Sequence, residues 1–163
     1  MKKLTIKDFE LNKVLDFGYL IVSEQEIIDF AKRYDPLDFH TNKEIAEKSM
    51  FRGLIASGPH LFHILYVTKW LPLFKDSVLG GLEVNFKFLS PIYANMKVFC
   101  NATITDLKPN YEKKYATVKW HYDFTNEKGD FLQIIEVTML HSIEKGATCE
   151  NKNSVQLLES NLC

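Results

Sequence analysis

The spacing of apolar and polar positions changes once along the chain, after Pro72. Upstream, the rhythm is helical. Ile27, Phe30, Ala31 and Tyr34 fall at i, i+3, i+4 and i+7, one face of a helix. Ser23, with Glu26 three residues on, forms a capping box in front of it. Pro36 disfavours helix at Asp35, so this helix is predicted to stop there. Thr41-Asn42-Lys43-Glu44 reads as a second capping box, opening a short helix through about Lys48 with Ile45 and Ala46 inward. Gly58-Pro59 suits a third helix start, since proline is tolerated at the first helical position. From Pro59 to about Trp70 the residues are apolar almost all round, the pattern of a buried helix, and Pro72 is predicted to end it.

Downstream, the rhythm is period two. Leu82, Val84, Phe86 and Phe88 alternate with polar residues. Met96, Val98, Cys100, Ala102 and Ile104 form a second run, and Ala116, Val118, Trp120, Tyr122 and Phe124 a third. Phe131 to Ile143 reads as a fourth strand, joined to the third by a turn at Asn126-Glu127-Lys128-Gly129. Residues 1–22 are short apolar clusters broken by charges, which predict an irregular lead-in with one or two short strands. A buried helix followed by antiparallel strands with one buried face predicts an α+β fold, the sheet wrapped around the helix. Residues 1–144 read as a single domain and 145–163 as a polar tail.

Composition narrows the function. A chain of 163 residues can bury one full core. Its formal net charge of -1 leaves no basic surplus for nucleic acid or an acidic membrane. No apolar run approaches the roughly 18 residues of a membrane span. Charges at Lys7, Asp8 and Glu10 interrupt any apolar core a signal peptide would need. Cys100, Cys149 and Cys163 form no CxxC pair and are odd in number. They read as reduced, non-catalytic thiols of a cytoplasmic protein, with no metal site.

Candidate chemistry concentrates in Tyr34-Asp35-Pro36-Leu37-Asp38-Phe39-His40-Thr41, read as a loop between two helices. Connectors are usually polar, so Leu37 and Phe39 suggest a loop tucked against the body. Asp35 and His40 are the candidate reactive pair: a carboxylate and a neutral imidazole can each accept a hydrogen bond from one water and take its proton. The Gly58 amide, in the first turn of the apolar helix, is a free donor suited to a developing oxyanion. That combination points to water addition to, or removal from, an activated carbonyl compound. The bland readings stand beside it. Asp35 before Pro36 could be a turn former, and His40 could be bonded to backbone. Ser57 reads as a cap, because the Gly-x-Ser-x-Gly spacing of a nucleophile elbow is absent. Asp38 reads as a local cap or surface charge. His60 and His63 read as core or interface residues, and His121 and His141 as solvent-face or sheet-pair residues. Gly80-Gly81 is no phosphate loop, since no Gly-Lys-Ser/Thr follows.

With Tyr34-Asp35-Pro36-Leu37-Asp38-Phe39-His40-Thr41 followed by Gly53-Leu54-Ile55-Ala56-Ser57-Gly58 and later Phe86-Lys87-Phe88-Leu89-Ser90-Pro91-Ile92, the sequence resembles the MaoC-like dehydratases, the family of (R)-specific enoyl-CoA hydratases. The resemblance covers roughly residues 15 to 143. It implies a hotdog fold, a sheet around a long central helix, and a homodimer or higher assembly with its site at the subunit contact. It implies that Asp35 and His40 activate water and that the Gly58 amide binds the thioester oxygen; Ser57 stands beside Gly58 where many relatives have His, and is given no role beyond capping or support of that oxyanion and substrate-binding position. The implied substrate is a 2-enoyl or (R)-3-hydroxyacyl thioester of coenzyme A or acyl carrier protein, its tail in an apolar slot beside the helix. No cofactor is implied. The sequence departs from the stricter hydratase signature, which has Asn then Pro where Leu37 and Asp38 stand here; the proline is at Pro36. A non-catalytic acyl-thioester binder and a hotdog thioesterase are the alternatives.

Overall fold

The computed structural model describes residues 4–143. The tail 145–163, with Cys149 and Cys163, lies outside the described residues. After a 3-10 turn at Ile6–Asp8, strand β1 spans Val14–Ile21. Helices α1 (Glu24–Tyr34), α2 (Asp38–Thr41) and α3 (Lys43–Lys48) follow. A longer helical run comprises α4 (His60–Leu65), a π-helical stretch (Tyr66–Trp70) and α5 (Leu71–Phe74). Strands β2 (Val78–Phe88), β3 (Lys97–Asn110), β4 (Tyr115–Thr125) and β5 (Phe131–Ser142) complete the chain. The five strands form one antiparallel sheet in the order β1-β3-β4-β5-β2, so the lead-in supplies an edge strand.

The helical run lies on the inward face of this sheet. Leu61, Leu65, Trp70 and Phe74 are buried against Val98, Cys100, Ala102 and Ile104 of β3 and Val118, Trp120, Tyr122 and Phe124 of β4. Trp120 meets Phe74 and Trp70 edge-on, with ring centroids 5.0 and 5.5 Å apart. The outer side of the run is not buried: His63, Val67 and Thr68 are exposed, so the apolar character all round overstates its burial. Lys69 fastens the run to β1. Its Nζ donates to the carbonyls of Phe17 and Tyr19, at 2.6 and 3.0 Å. These flank Gly18, whose φ of +68° suits glycine and shifts the strand register.

Pro72 does not end the run, contrary to expectation. Proline gives no N–H and crowds the carbonyl four residues back. Here the backbone widens into π-helical geometry before it, with the Leu71 N–H reaching the Tyr66 carbonyl. Pro72 thus sits in the first turn of α5, where proline is tolerated. The second capping box is also corrected. Asn42, not Thr41, caps α3, accepting from the Ile45 amide at 3.1 Å. The Thr41 hydroxyl instead donates back to the Leu37 carbonyl, 3.1 Å away. Ala46 points inward, but Ile45 is exposed.

Candidate active site

Asp35 stands at the C-cap of α1, where the Ser23–Glu26 capping box starts the helix and Pro36 follows its end. The stretch after it is not a plain loop. It winds into the single turn α2, which carries His40 inward. Phe39 packs against Phe51, centroids 5.0 Å apart, and edge-on to His40 at 4.5 Å. Leu37, by contrast, is 49% exposed and is not tucked against the body. Asp38 is exposed on the first turn of α2.

One extended segment gathers the site. Residues 54–56 are held to the chain before β3: the Ala56 amide donates to the Ile92 carbonyl at 2.8 Å, and Ile55 bridges to Tyr93. The Ile55 carbonyl accepts from His40 Nδ1 at 2.8 Å. A carbonyl can only accept, so Nδ1 carries the proton and neutral His40 has its lone pair at Nε2. That Nε2 lies 3.4 Å from Asp35 Oδ2. Two residues on, the Ser57 hydroxyl donates to the same Asp35 oxygen at 2.7 Å. Ser57 therefore holds the carboxylate and does not cap the helix.

Gly58 comes next, in a turn that precedes α4. Among the described residues its N–H has no hydrogen-bond partner. Its carbonyl accepts from the Gln133 side-chain amide of β5. A Cβ at position 58 would lie 2.4 Å from the Phe88 ring, a close approach that glycine permits. Acid, imidazole and hydroxyl thus meet, and the free amide belongs to the next residue along the chain. The His40 side chain is buried, while that of Asp35 is about a third exposed, so solvent reaches the pair from the Asp35 side.

The other candidates fall elsewhere. His60 stacks on Phe30 at 4.1 Å and is buried, which lowers its pKa to about 4; His63 is exposed on the next turn. His121 lies on the outer face, 3.0 Å from Asp123. His141 corrects the surface reading, because it is fully buried. Its Nδ1 bonds the Ser77 hydroxyl at 3.0 Å, and its Nε2 accepts from Trp120 at 3.4 Å. Cys100 is buried in β3, and burial pushes its thiol well above the usual range. Gly80 and Gly81 lie in β2 beside register shifts. A cavity of about 410 Å³ opens beneath the N-terminal segment, by Lys7, Glu10, Lys13 and Phe74. It shares no lining residue with the Asp35–His40 cluster.

Gln133 was absent from the sequence reading. The missed signal is positional: it shares the inward stripe of β5 with Ile135, Val137 and Met139, where an apolar residue is expected.

A five-stranded antiparallel sheet around a central helix, with a short helical insertion carrying an acid and a histidine, is the hotdog fold. MaoC-like dehydratases of known structure share this fold with the chain. A MaoC-like dehydratase from Rhodospirillum rubrum is similar over 85% of this chain and 97% of its own, with TM-score 0.74 and 26% identity. The unliganded (R)-hydratase PhaJ1 from Pseudomonas aeruginosa shares the fold over 88% of each chain, with TM-score 0.70 and 16% identity. YdeM of Bacillus subtilis, whose function is uncharacterised, is 29% identical over 109 residues, 65% of this chain and 77% of its own. No family model matches the chain. Among the described residues, no helix is long and apolar enough to cross a membrane.

Proposed function

We propose that this protein adds water to, or removes it from, a 2-enoyl or (R)-3-hydroxyacyl thioester of coenzyme A or acyl carrier protein. The observation that carries the reading is the placement of the Asp35 carboxylate and His40 Nε2 3.4 Å apart, with the carboxylate held by Ser57, the chain neighbour of the free Gly58 amide. With a neutral His40 ring both facing atoms are acceptors, so a water beside the pair can donate to each. In the hydration direction the thioester oxygen rests on the Gly58 N–H. The water oxygen bonds to the β-carbon of the substrate and its proton passes to the Asp35–His40 pair. Negative charge collects on the thioester oxygen as an enolate. The pair then returns one proton to the substrate's α-carbon, so the hydroxyl and the hydrogen added together make one water. General acid–base help is worth roughly 10²–10⁴-fold, and one oxyanion donor roughly 10²–10³-fold. Ser57 keeps the carboxylate aimed. The chemistry is carried by side chains and one amide, and needs no cofactor.

The working form in this reading is a homodimer paired along β2. That edge strand exposes Leu79, Leu82, Val84 and Phe88, an apolar edge that isolated proteins avoid. Phe88 also touches the Gly58 position, so a second copy on β2 would stand beside the site.

The test is loss of enoyl-thioester absorbance from crotonyl-CoA, with a panel of longer and carrier-bound enoyl thioesters. Formation of the 3-hydroxyacyl product, abolished in His40→Ala and Asp35→Asn, is the expected result. Release of free thiol would point to hydrolysis. Saturable binding without product across the panel would leave a binding protein and end the enzyme reading.

A further inference from the structure

We infer that Gln133 is a positioning residue for the oxyanion site, holding the Gly58 turn so that its amide faces the substrate oxygen. This rests on the reading of Gly58 as the oxyanion donor. Three observations carry it.

The first is the bond itself. Gln133 reaches from β5, seventy-five residues away in sequence, to the Gly58 carbonyl. Donation to a carbonyl requires the amide nitrogen, so the orientation of the Gln133 side chain is fixed. Holding the carbonyl of residue 58 fixes the peptide plane that follows it, and through the glycine the plane that carries its N–H. Glycine left alone is the least restrained residue in a chain, and a wandering amide is a poor oxyanion donor, because such donors act by being aimed in advance.

The second is the cost. Gln133 is only 2% exposed, and its Oε1 is buried without a hydrogen-bond partner among the described residues. A buried acceptor left unpaired opposes folding. A leucine or methionine at this inward-facing position would carry no such atom. Packing alone therefore does not account for the amide; its donor end, on Gly58, does.

The third is the surroundings. Gln133 is the register partner of Phe88, whose ring lies against Gly58. The turn is thus clamped between one cross-strand pair, by a hydrogen bond from β5 and a ring from β2, with Pro59 following it. Aromatic wall and amide hook act on the same residue.

The experiment compares Gln133→Leu and Gln133→Met, each lacking the donor, with the unaltered protein in three readouts. In turnover of crotonyl-CoA, kcat is expected to fall roughly 10- to 100-fold, the scale of a misplaced catalytic group, with KM changed by less than about 3-fold. In thermal melts, Tm is expected to stay within a few degrees. The third readout uses the inactive His40→Ala background, where carbonyl-labelled crotonyl-CoA binds without reacting. Its thioester carbonyl stretch is expected to move to lower frequency on binding, and to move back when Gln133→Leu is added. A Gln133→Leu protein with full kcat and an unchanged carbonyl shift would overturn the inference. So would failure of both variants to fold, which would make Gln133 a structural residue. A His40→Ala protein that binds crotonyl-CoA with no carbonyl shift, while the unaltered protein hydrates it, would leave the hydratase reading standing and remove Gly58 and Gln133 from it. Neither turnover nor binding across the thioester panel would end both.

Discussion

The Ser57 hydroxyl donates to Asp35 Oδ2 across 2.7 Å, joining residues twenty-two positions apart. A serine beside a glycine at a helix start usually serves its own backbone. This one is spent on the carboxylate that the proposed reaction needs. The same carboxylate oxygen faces His40 Nε2 at 3.4 Å, so hydroxyl and imidazole meet the acid at one atom.

Ser57→Ala should therefore damage turnover more than folding. The serine is buried and close to alanine in size, so the fold should tolerate the change. Asp35 would lose one anchor, and a drop in kcat of roughly 10- to 100-fold is expected. Ser57→Thr, which keeps the hydroxyl, should retain more activity. Steady-state kinetics on the three proteins, with melts as the control, checks this.

Gly58→Ala places a methyl group 2.4 Å from the Phe88 ring, so something must shift. Phe88 lies outside the buried core, so a shift of its ring leaves the core intact and the substitution survivable for the fold. The amide beside it should still be displaced, and kcat is expected to fall at least roughly 10-fold. Adding Phe88→Leu should relieve the clash and recover part of any lost Tm. Measuring both quantities in the single and double variants separates crowding from the loss of aim.

Acid should weaken the fold through His141. Burial lowers its pKa from 6.5 to about 4, so the folded state favours the neutral ring. The unfolded chain binds the proton more readily. The stability from this group is complete above about pH 6.5 and is lost as pH falls from there through about 4, amounting to roughly 3 kcal/mol. His60, also lowered to about 4 by burial, adds a loss of the same sign. Urea unfolding at about pH 7 and about pH 4.5 should show the decline, and His141→Gln should flatten it.

The β2 edge gives a prediction about assembly. Leu82 and Val84 are about half exposed on a strand with an unpaired side. Lysine at either position blunts such an edge. In Leu82→Lys or Val84→Lys the proposed β2-paired dimer should weaken by roughly 100-fold, seen as monomer in sedimentation at micromolar concentration. Turnover should fall with dilution at the same midpoint.

Local signals were legible in the sequence where neighbouring residues decide the structure. The Ser23–Glu26 box, the stop at Asp35 before Pro36 and the turn at Asn126–Gly129 all appear where they were expected. The Asp35–His40 proximity follows from five residues of spacing and one turn of helix. What stayed hidden depends on distant partners. The widened turn before Pro72 is a backbone response that no single residue announces. Asn42 displaced Thr41 as cap because the Thr41 hydroxyl had the Leu37 carbonyl within reach. Gln133 and His141 sit on one inward stripe of β5, and their partners lie on other elements. Polar residues in an inward phase mark a buried contact without naming it.

Residues 54–58 carry a further consequence. His40 leans on the Ile55 carbonyl, Asp35 on Ser57, and Gly58 belongs to the segment itself. The segment is in turn moored to Ile92 and Tyr93. Under the proposed reaction, competence is therefore all-or-none. A fluctuation that lifts this one strap off its mooring disarms acid, base and amide together, well before the aromatic core of the sheet gives way. Inactivation on warming should accordingly precede global melting, as a single event.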